Sequence, residues 1–188
     1  TATDEYVHTN ISIAIKKDSV IFGDFYYHQT NKTIYFDLIS PLKDNNGRIL
    51  GAIIQQVNPH YNIFPIISKW PSESKTAESF IFGIKNERVV FLSELRHKKK
   101  PELTFSISLN DTNVIAVKGA RGQEGSLSGT DYRGKSVLAD MKTIPGTDWY
   151  LVSKIDEEEI FHNILFRIEI ILILIAVSLA ALILGYLY

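Results

Sequence analysis

Histidine and acidic side chains are the groups in this sequence that could bind a metal ion or transfer a proton. The five histidines are dispersed along the chain: His8, His28, His60, His97 and His162. No two of them are four residues apart, so the sequence lacks the helical H-E-x-x-H motif that binds zinc. It also lacks a G-x-S-x-G motif for a serine nucleophile. We therefore expect no catalytic site in this segment and no cofactor.

The densest acidic run is Asp156 to Glu159 (DEEE). Carboxylate oxygens are the ligands that divalent cations such as Ca²⁺ prefer, so the run suits a cation site at a membrane surface. Acidic residues are also favoured in the first turn of a helix, where they interact with the positive end of the helix dipole. The helix start is the simpler explanation, and the sequence predicts a helix from Asp156.

Overall charge and cysteine content restrict the partners of this chain. The 188 residues carry a formal net charge of -1, which gives no general attraction for nucleic acid. The most basic stretch, Arg96 to Lys100 (RHKKK), suits phosphates or anionic lipid headgroups, but a solvent-exposed loop ending at Pro101 is the simpler interpretation. Without cysteine, the chain has neither a disulfide framework nor cysteine-based zinc sites.

The last stretch of the chain, Ile170 to Tyr188, contains no charged residue. About 20 apolar residues in a helix span the hydrocarbon core of a bilayer, so this run predicts a transmembrane helix that contacts membrane lipid. A fully buried core helix is the alternative, but such helices are usually shorter. No proline or glycine lies between Asp156 and Gly185. One continuous helix is therefore predicted from the end of the soluble part into the membrane.

Strand-like runs dominate the part before the membrane segment. Runs rich in β-branched and aromatic residues predict strands at 20–27, 33–42, 49–57, 77–84, 87–95, 103–109 and 148–155, and two further strands within 126–144. Asn46-Gly47, Lys85-Asn86 and Arg133-Gly134 predict turns between neighbouring strands. Short helices are predicted at 4–17, 59–70 and 113–119. The polar segment WPSESKT predicts a boundary between two modules.

Three blocks of sequence, in this order, resemble a known family. They are SPLKDNNGRILGAIIQQVNP, WPSESKTAESFIFGIKNERVVFLSELRHKK and GTDYRGKSVLADMKTIPGTDWYLVSKID. Together they resemble the extracytoplasmic double Cache sensor (tandem PAS-like, PDC) of bacterial and archaeal membrane signal transducers, particularly sensor histidine kinases. The resemblance covers most of the soluble part.

The resemblance implies an α+β fold with antiparallel PAS-like sheets, followed by one transmembrane helix. Residues 1–66 would be the C-terminal part of a membrane-distal module, 67–73 a linker, 74–155 a complete membrane-proximal module and 156–188 the juxtamembrane and transmembrane helix. The long N-terminal helix, the first membrane span and the opening distal strands of the family are not in this sequence. The soluble part would lie outside the cell membrane, and Tyr188 would point towards the cytoplasm.

The resemblance also implies a mechanism. A small molecule, not identified by these residues, would bind outside the cell. The resulting change would pass along the strand ending at Lys154, through 156–164, into the membrane helix and on to a cytoplasmic output. A histidine kinase is the favoured output, although cyclase and chemotaxis outputs stay open.

The resemblance implies a ligand site in the distal module. Amino-acid-binding members hold their ligand with a tyrosine and an aspartate; Tyr26 matches the tyrosine, but the aspartate position holds Gln56. A neutral amide does not pair with an ammonium group as a carboxylate does. We predict Tyr26, His28, Tyr35 and Gln56 as pocket residues, because alternation places Tyr26 and His28 on one face of their strand. The alternative is that they are ordinary residues of a half-buried sheet.

A second candidate site lies at the predicted turn with Tyr132 and Arg133, which could overhang a proximal pocket. The alternative is that both are simply turn residues. The resemblance implies a homodimer as well, and Ala176, Ala180 and Ala181 offer a face where a second membrane helix could approach closely. A membrane-anchored interaction or dimerisation module without a small-molecule ligand stays open as an alternative function. An enzyme would need a catalytic constellation that this sequence does not contain.

Overall fold

The structure is a computed structural model that describes residues 2–187, with the side chains of residues 7–162, 164 and 166–187. Its helices are α1 (Ala2–Lys17), α2 (Ile63–Ile67), α3 (Ile115–Ala120) and α4 (Glu157–Leu187). Its strands are β1 (Ile21–Phe22), β2 (Tyr26–His28), β3 (Thr33–Lys43), β4 (Ile49–Val57), β5 (Glu78–Lys85), β6 (Arg88–Phe91), β7 (Ser106–Ser108), β8 (Gly125–Thr130), β9 (Ser136–Thr143) and β10 (Trp149–Asp156). All strand pairs are antiparallel.

The first sheet contains β1 to β4, with β3 at its centre. Strands β1 and β2 pair with successive parts of the same edge of β3, and β4 pairs with the other edge. The prediction of one strand over 20–27 is therefore wrong, because the run is broken into two short strands. At the break, the Gly23 amide donates to the Asp37 carbonyl at 2.7 Å, and the Asp24 carboxylate accepts from the Phe25 amide at 2.8 Å. These bonds turn the chain and direct the Phe25 side chain into the core.

The predicted hairpins are confirmed. Between β3 and β4, the Asp44 carboxylate accepts hydrogen bonds from the amides of Asn46 and Arg48 at 3.0 and 2.8 Å, and Gly47 has φ of 79°. Between β5 and β6, Asn86 and Glu87 have φ of 48° and 59°. Two consecutive positive φ values are typical of a type I′ turn, whose twist matches that of the flanking strands.

The second sheet has the strand order β7-β6-β5-β10-β9-β8. The last strand of the chain, β10, thus lies in the middle and pairs with β5 on one side and β9 on the other. Helix α3 packs across one face of this sheet and buries Ile115 and Val117 against Phe80, Phe91 and Met141. The central position of β10 places the start of α4 directly at the end of this core.

The two sheets share a second hydrophobic core. Phe25 and Phe36 of the first sheet and Phe64 of α2 pack with Ile81 and Trp149 of the second. The Trp149 ring lies 4.5 Å from that of Phe25 and 5.4 Å from that of Phe36, measured between centroids. Aromatic pairs at such distances add about 0.5–1.5 kcal/mol each to the free energy of burial. Residues 68–77, which contain no helix or strand, connect α2 with β5; the predicted module bounds stay predictions.

The prediction of one continuous C-terminal helix is confirmed, except that Asp156 ends β10 and the helix begins at Glu157. Helix α4 has 31 residues, which corresponds to about 46 Å at 1.5 Å per residue. Its apolar side chains from Ile170 to Leu187 are exposed, and the helix is long and apolar enough to cross a membrane. Tyr188 lies outside the described residues. The predicted α+β class with antiparallel sheets and a C-terminal apolar helix is confirmed.

A glycine in α3 allows the helix to approach the second sheet closely. A Cβ atom at Gly119 would lie 1.5 Å from the Met141 Sδ atom. Replacing glycine by alanine inside a helix normally stabilises by about 0.5–1 kcal/mol. For Gly119→Ala we expect the opposite sign, a loss of about 1–3 kcal/mol, because overpacking forces the core apart. Thermal unfolding of the chain in detergent micelles measures the effect.

The matched control is Gly51→Ala in β4, where a Cβ atom would meet no atom within 4 Å. We expect this variant to melt within a few degrees of the unsubstituted chain. A Gly119→Ala chain that melts at or above the temperature of the Gly51→Ala chain would contradict the close packing of α3 on β9.

Candidate functional site

Five polar and aromatic side chains lie on one face of the first sheet, here called the polar face: Tyr26, His28, Tyr35, Asp37 and Gln56. Antiparallel pairing produces this arrangement. Tyr26 of β2 is opposite Tyr35 of β3, and Asp37 of β3 is opposite Gln56 of β4. Because side chains alternate along a strand, Tyr35 and Asp37 point to the same side. The intervening Phe36 points the other way, into the core shared by the two sheets.

Hydrogen bonds connect the three strands across the polar face. The Tyr26 hydroxyl donates to Asp37 Oδ1 at 2.9 Å and accepts from Gln56 Nε2 at 2.8 Å. The ring of Tyr35 lies 6.5 Å from the ring of Tyr26 and 5.5 Å from that of His28, between centroids. The result is a wall of aromatic rings beside a carboxylate and an amide.

Asp37 is the only one of the five that is fully buried, at 4% exposure. Burial raises the pKa of its carboxyl group, and the hydrogen bond from Tyr26 opposes this effect only in part. A buried carboxylate gains from an opposite charge placed beside it, because the cation offsets the cost of removing the anion from water. Aromatic faces attract cations as well. The polar face is therefore suited to a small molecule that carries a cationic amine.

The structure brings together the four residues predicted for the distal site. Their role as ligand contacts stays a prediction, but Tyr26 and Gln56 touch directly, and Tyr35 lies between Tyr26 and His28. Sequence reasoning missed Asp37, although alternation from Tyr35 would have placed it on the same face. Asp37 lies directly across the ladder from Gln56, so a carboxylate stands beside the amide on this face.

Tyr132 and Arg133, predicted at a proximal pocket, belong to a buried network of charges. The Tyr132 hydroxyl donates to Glu78, with its oxygen 3.1 and 3.0 Å from the two carboxylate oxygens, and its ring packs 5.7 Å from that of Phe91. Arg133 Nε donates to Asp131 at 2.6 Å, and its Nη2 pairs with Asp156. Burial and the neighbouring Glu78 raise the pKa of the Tyr132 hydroxyl. A ligand-binding role for either residue stays a prediction.

Lys154 of β10 is at the centre of this network. Its side chain is completely buried, and its Nζ atom lies 2.8 Å from Asp131 Oδ2 and 3.1 Å from Glu78 Oε2. Asp156 Oδ1 is 3.8 Å from the same nitrogen. Lys154 is opposite Glu78 in the β5–β10 ladder. Three carboxylates and two cations, those of Lys154 and Arg133, thus meet between β5, β10 and the β8–β9 turn.

The two carboxylate oxygens of Asp131 bind different partners. Oδ1 accepts from the amides of Arg133 and Lys135 at 2.7 and 3.2 Å and so shapes the turn, while Oδ2 faces Lys154 and Arg133. Burial by itself would raise the pKa of the Asp131 carboxyl, but hydrogen bonds and charge from Lys154 and Arg133 hold it below its usual range. Gly134, with φ of 78°, completes the turn. The predicted Arg133-Gly134 turn is confirmed.

A cleft of about 550 Å³ separates α1 from the end of the second sheet. Asn10, Phe22 and Trp149 line it, and at its edge Asp24 pairs with Lys85 at 2.7 Å. It therefore opens beside the junction of the two sheets. Across the described residues, no three His, Asp or Glu side chains are grouped so that they could hold a metal ion.

Comparison with known proteins identifies structural relatives. No family model matches the chain, and no curated protein matches it. The extracellular domain of mmHK1S-Z2, described as a histidine kinase, is similar with a TM-score of 0.57 and 20% identity, over 83% of this chain and 58% of that domain. The ligand-binding domain of Mlp24, solved with asparagine, is similar with a TM-score of 0.51 and 17% identity, over 79% of this chain and 55% of that domain.

A third relative is the ligand-binding domain of the amino acid chemoreceptor PctB of Pseudomonas aeruginosa, solved with L-Arg. It has a TM-score of 0.52 and 13% identity, over 80% of this chain and 60% of that domain. The chain shares its fold with these three domains. It spans 55–60% of the length of these three structures.

Removal of the buried ammonium should destabilise the second sheet strongly. In Lys154→Met, Asp131 and Glu78 keep their burial and lose a cation, and breaking a buried ion pair on one side costs about 3–5 kcal/mol. We expect a corresponding fall in the thermal unfolding temperature. The control is Lys142→Met on the neighbouring strand β9, where the side chain is exposed and the expected change is within about 0.5 kcal/mol. Equal unfolding temperatures for the two variants would contradict the assigned role of Lys154.

Proposed function

We propose that this chain is the extracytoplasmic ligand-sensing part of a transmembrane signal transducer. A small molecule binds at the polar face of the first sheet, and α4 carries the resulting change across the membrane to a cytoplasmic output. The observation that carries this proposal is the buried Asp37, hydrogen-bonded to Tyr26 at 2.9 Å on a face lined by aromatic rings. The fold shared with extracellular ligand-binding domains supports it.

We propose a small amine or amino acid as the ligand. The desolvated Asp37 carboxylate would hold the ammonium group by a charge-assisted hydrogen bond, and Tyr26 and Tyr35 would cover its alkyl part. Gln56 would offer an amide to a polar group of the ligand. The relatives solved with asparagine and L-Arg are similar to this chain in fold and are consistent with this ligand class.

We also propose the finer family assignment: a double Cache sensor in which the first sheet is part of the membrane-distal module. In support, β4 pairs only with β3 within the described chain, which leaves an edge where further strands could pair. The exposed apolar surface of α4 supports a membrane-embedded helix. We place the soluble part outside the membrane and favour a histidine kinase as the output, in line with the fold shared with the extracellular domain of mmHK1S-Z2. Homodimerisation, implied by the family resemblance, stays part of the proposal.

Amines and amino acids should raise the thermal unfolding temperature of the chain in detergent micelles. A ligand that binds only the folded state stabilises it by about 2.7 kcal/mol at one hundred times its dissociation constant. In Asp37→Asn, we expect this ligand-induced shift to disappear. The variant itself should fold, because the Asn carbonyl oxygen still accepts from the Tyr26 hydroxyl. Differential scanning fluorimetry against amines, amino acids and matched carboxylic acids measures both effects.

The control for this variant is Asp140→Asn, which removes an exposed carboxylate from β9 and leaves the first sheet unchanged. It should retain the full ligand-induced shift. If no compound in the panel raises the unfolding temperature of the unsubstituted chain, the proposed ligand class is wrong. If a binder is found and Asp37→Asn binds it equally well, the polar face is not the site.

The raised pKa of Asp37 gives ligand binding and stability opposite pH dependences. Amine binding needs the ionised carboxylate, so it should be complete above the pKa and lost as the pH falls through it, at a higher pH than for an ordinary carboxyl group. A folded-state pKa above the unfolded value means that Asp37 destabilises the ligand-free chain as the pH rises. Asp37→Asn should therefore melt higher than the unsubstituted chain at pH 7, and the difference should vanish in acid. A difference that grows on acidification would contradict this sign.

A membrane-anchored interaction module is the second candidate, and exposed apolar side chains on β4 favour it. Leu50 and Ile53 are 56% and 55% exposed, and β4 is an edge strand of the first sheet in the described chain, where another chain can bind. This candidate requires self-association or partner binding through β4. Ile53→Lys would then reduce association in light scattering without changing an amine-induced thermal shift. If association is unaffected by Ile53→Lys, the β4 surface is not the interface.

A further inference from the structure

One carboxylate of α4 is hydrogen-bonded to the segment that connects the two sheets, residues 68–77. Glu159, the third residue of the helix, accepts hydrogen bonds from the Lys75 amide at 3.2 Å and the Thr76 amide at 2.9 Å. The Thr76 hydroxyl donates to the same carboxylate. Hydrogen bonds to an ionised group are about twice as strong as neutral ones. Consecutive amides that converge on one anion form a concave binding site for it. We call Lys75, Thr76 and Glu159 the linker clamp.

Further hydrogen bonds around the linker clamp fix the backbone of the connecting segment near Ser74. Ser74 Oγ accepts from the amides of Thr76 and Ala77 at 3.3 and 2.9 Å, and the Ser74 carbonyl accepts from Arg96 at 2.9 Å. The Thr76 hydroxyl oxygen also accepts from the Asp156 amide at 3.2 Å. Thr76 therefore contacts both the last residue of β10 and the first turn of α4.

The other end of the connecting segment is attached to the first sheet. Residues 68–77 begin where α2 ends, and Phe64 of α2 is buried with its ring 6.4 Å from that of Phe25. Phe25 lies one residue before Tyr26 of the polar face. A shift of the first sheet can therefore reach Glu159 through α2 and the chain from residue 68 to Thr76, without displacing strand β10.

The direct alternative route runs through β10, which joins the shared core to α4. This strand is paired along its length with β5 and β9, and its end is held by the ion pair of Asp156 with Arg133. Displacing a central strand breaks ladders on both sides, so β10 is the stiffest part of the second sheet. A segment without sheet pairing opens locally at a much lower free energy. Motion between the sheets therefore reaches α4 at lower cost through residues 68–77.

We propose that the linker clamp is the contact through which the first sheet controls the transmembrane helix. In the closed state, Glu159 holds the first turn of α4 against the end of the connecting segment. When the first sheet shifts on ligand binding, the segment withdraws the Lys75 and Thr76 amides, and the start of α4 is released. This inference rests on the proposed sensor function, but its test uses no ligand, so either can fail without the other.

The test compares Glu159→Ala with Glu158→Ala in the full chain in lipid nanodiscs. Both variants remove one acidic residue from the first turn of α4, but the Glu158 side chain is 87% exposed and lies 3.9 Å from the Lys135 ammonium group. A spin label at Ile164→Cys, in a chain with no other cysteine, reports motion of α4. Amide hydrogen exchange measures local opening of residues 68–77 and of α2.

In Glu159→Ala, we expect exchange at Lys75 and Thr76 to accelerate about tenfold or more. We also expect faster exchange in α2 and a more mobile spin label, because coupling between two sites acts in both directions. Glu158→Ala should change exchange by less than about twofold. Thr76→Val, which keeps both amides and removes only the hydroxyl, should give a smaller change in the same direction.

Two outcomes would overturn the proposal. In the first, Glu159→Ala and Glu158→Ala give the same exchange and the same spin-label mobility, which means that the clamp does not hold α4. In the second, Glu159→Ala frees the helix and the linker amides while exchange in α2 is unchanged, which means that the clamp is not coupled to the first sheet. Thr76→Val guards against misfolding, because it weakens the same contact while keeping the Glu159 carboxylate and the two amides that donate to it.

Discussion

A lysine ammonium group without access to water constrains the second sheet more than any other contact. Removing such an ion from water costs several kcal/mol, which only well-placed opposite charges offset. Lys154 receives this compensation from Asp131 at 2.8 Å and Glu78 at 3.1 Å, and Arg133 balances the remaining negative charge. The strands β5 and β10 and the β8–β9 turn must therefore keep one relative arrangement. Helix α4 starts three residues after Lys154, so the position of its first turn is fixed by the same ion pairs.

The opposite end of β10 lies in the core that the two sheets share. Trp149 opens the strand and packs against Phe25 and Phe36, so eight residues, or about 26 Å of strand, separate this aromatic contact from the start of α4. The first sheet thus has two connections to the helix. The strand is held by ladders and ion pairs on both sides, whereas residues 68–77 are held mainly by hydrogen bonds at their end. Strand β10, which is firmly held, and residues 68–77, which are held less firmly, both contact the first turn of α4.

Features that depend on neighbouring residues were predictable from sequence. The Asn46-Gly47 hairpin forms because glycine adopts positive φ without steric cost, and alternation correctly grouped Tyr26 and His28 on one face. The interrupted strand at 20–27 was not predictable, because the break depends on a bond from the Gly23 amide to Asp37, on another strand. Asp37 itself was missed for a related reason. Its importance follows from burial and from its register opposite Gln56, and neither is visible in a local pattern.

By itself, the sequence determined the order of strands and helices, the positions of the tight turns and the long apolar helix at the end. All of these follow from propensity and periodicity over a few neighbouring residues. Only the tertiary structure decided that Lys154 meets Glu78 and that Glu159 meets Thr76. These partners are far apart in the chain, and whether two charges or a charge and an amide attract depends on which strands become neighbours and how far water is excluded between them.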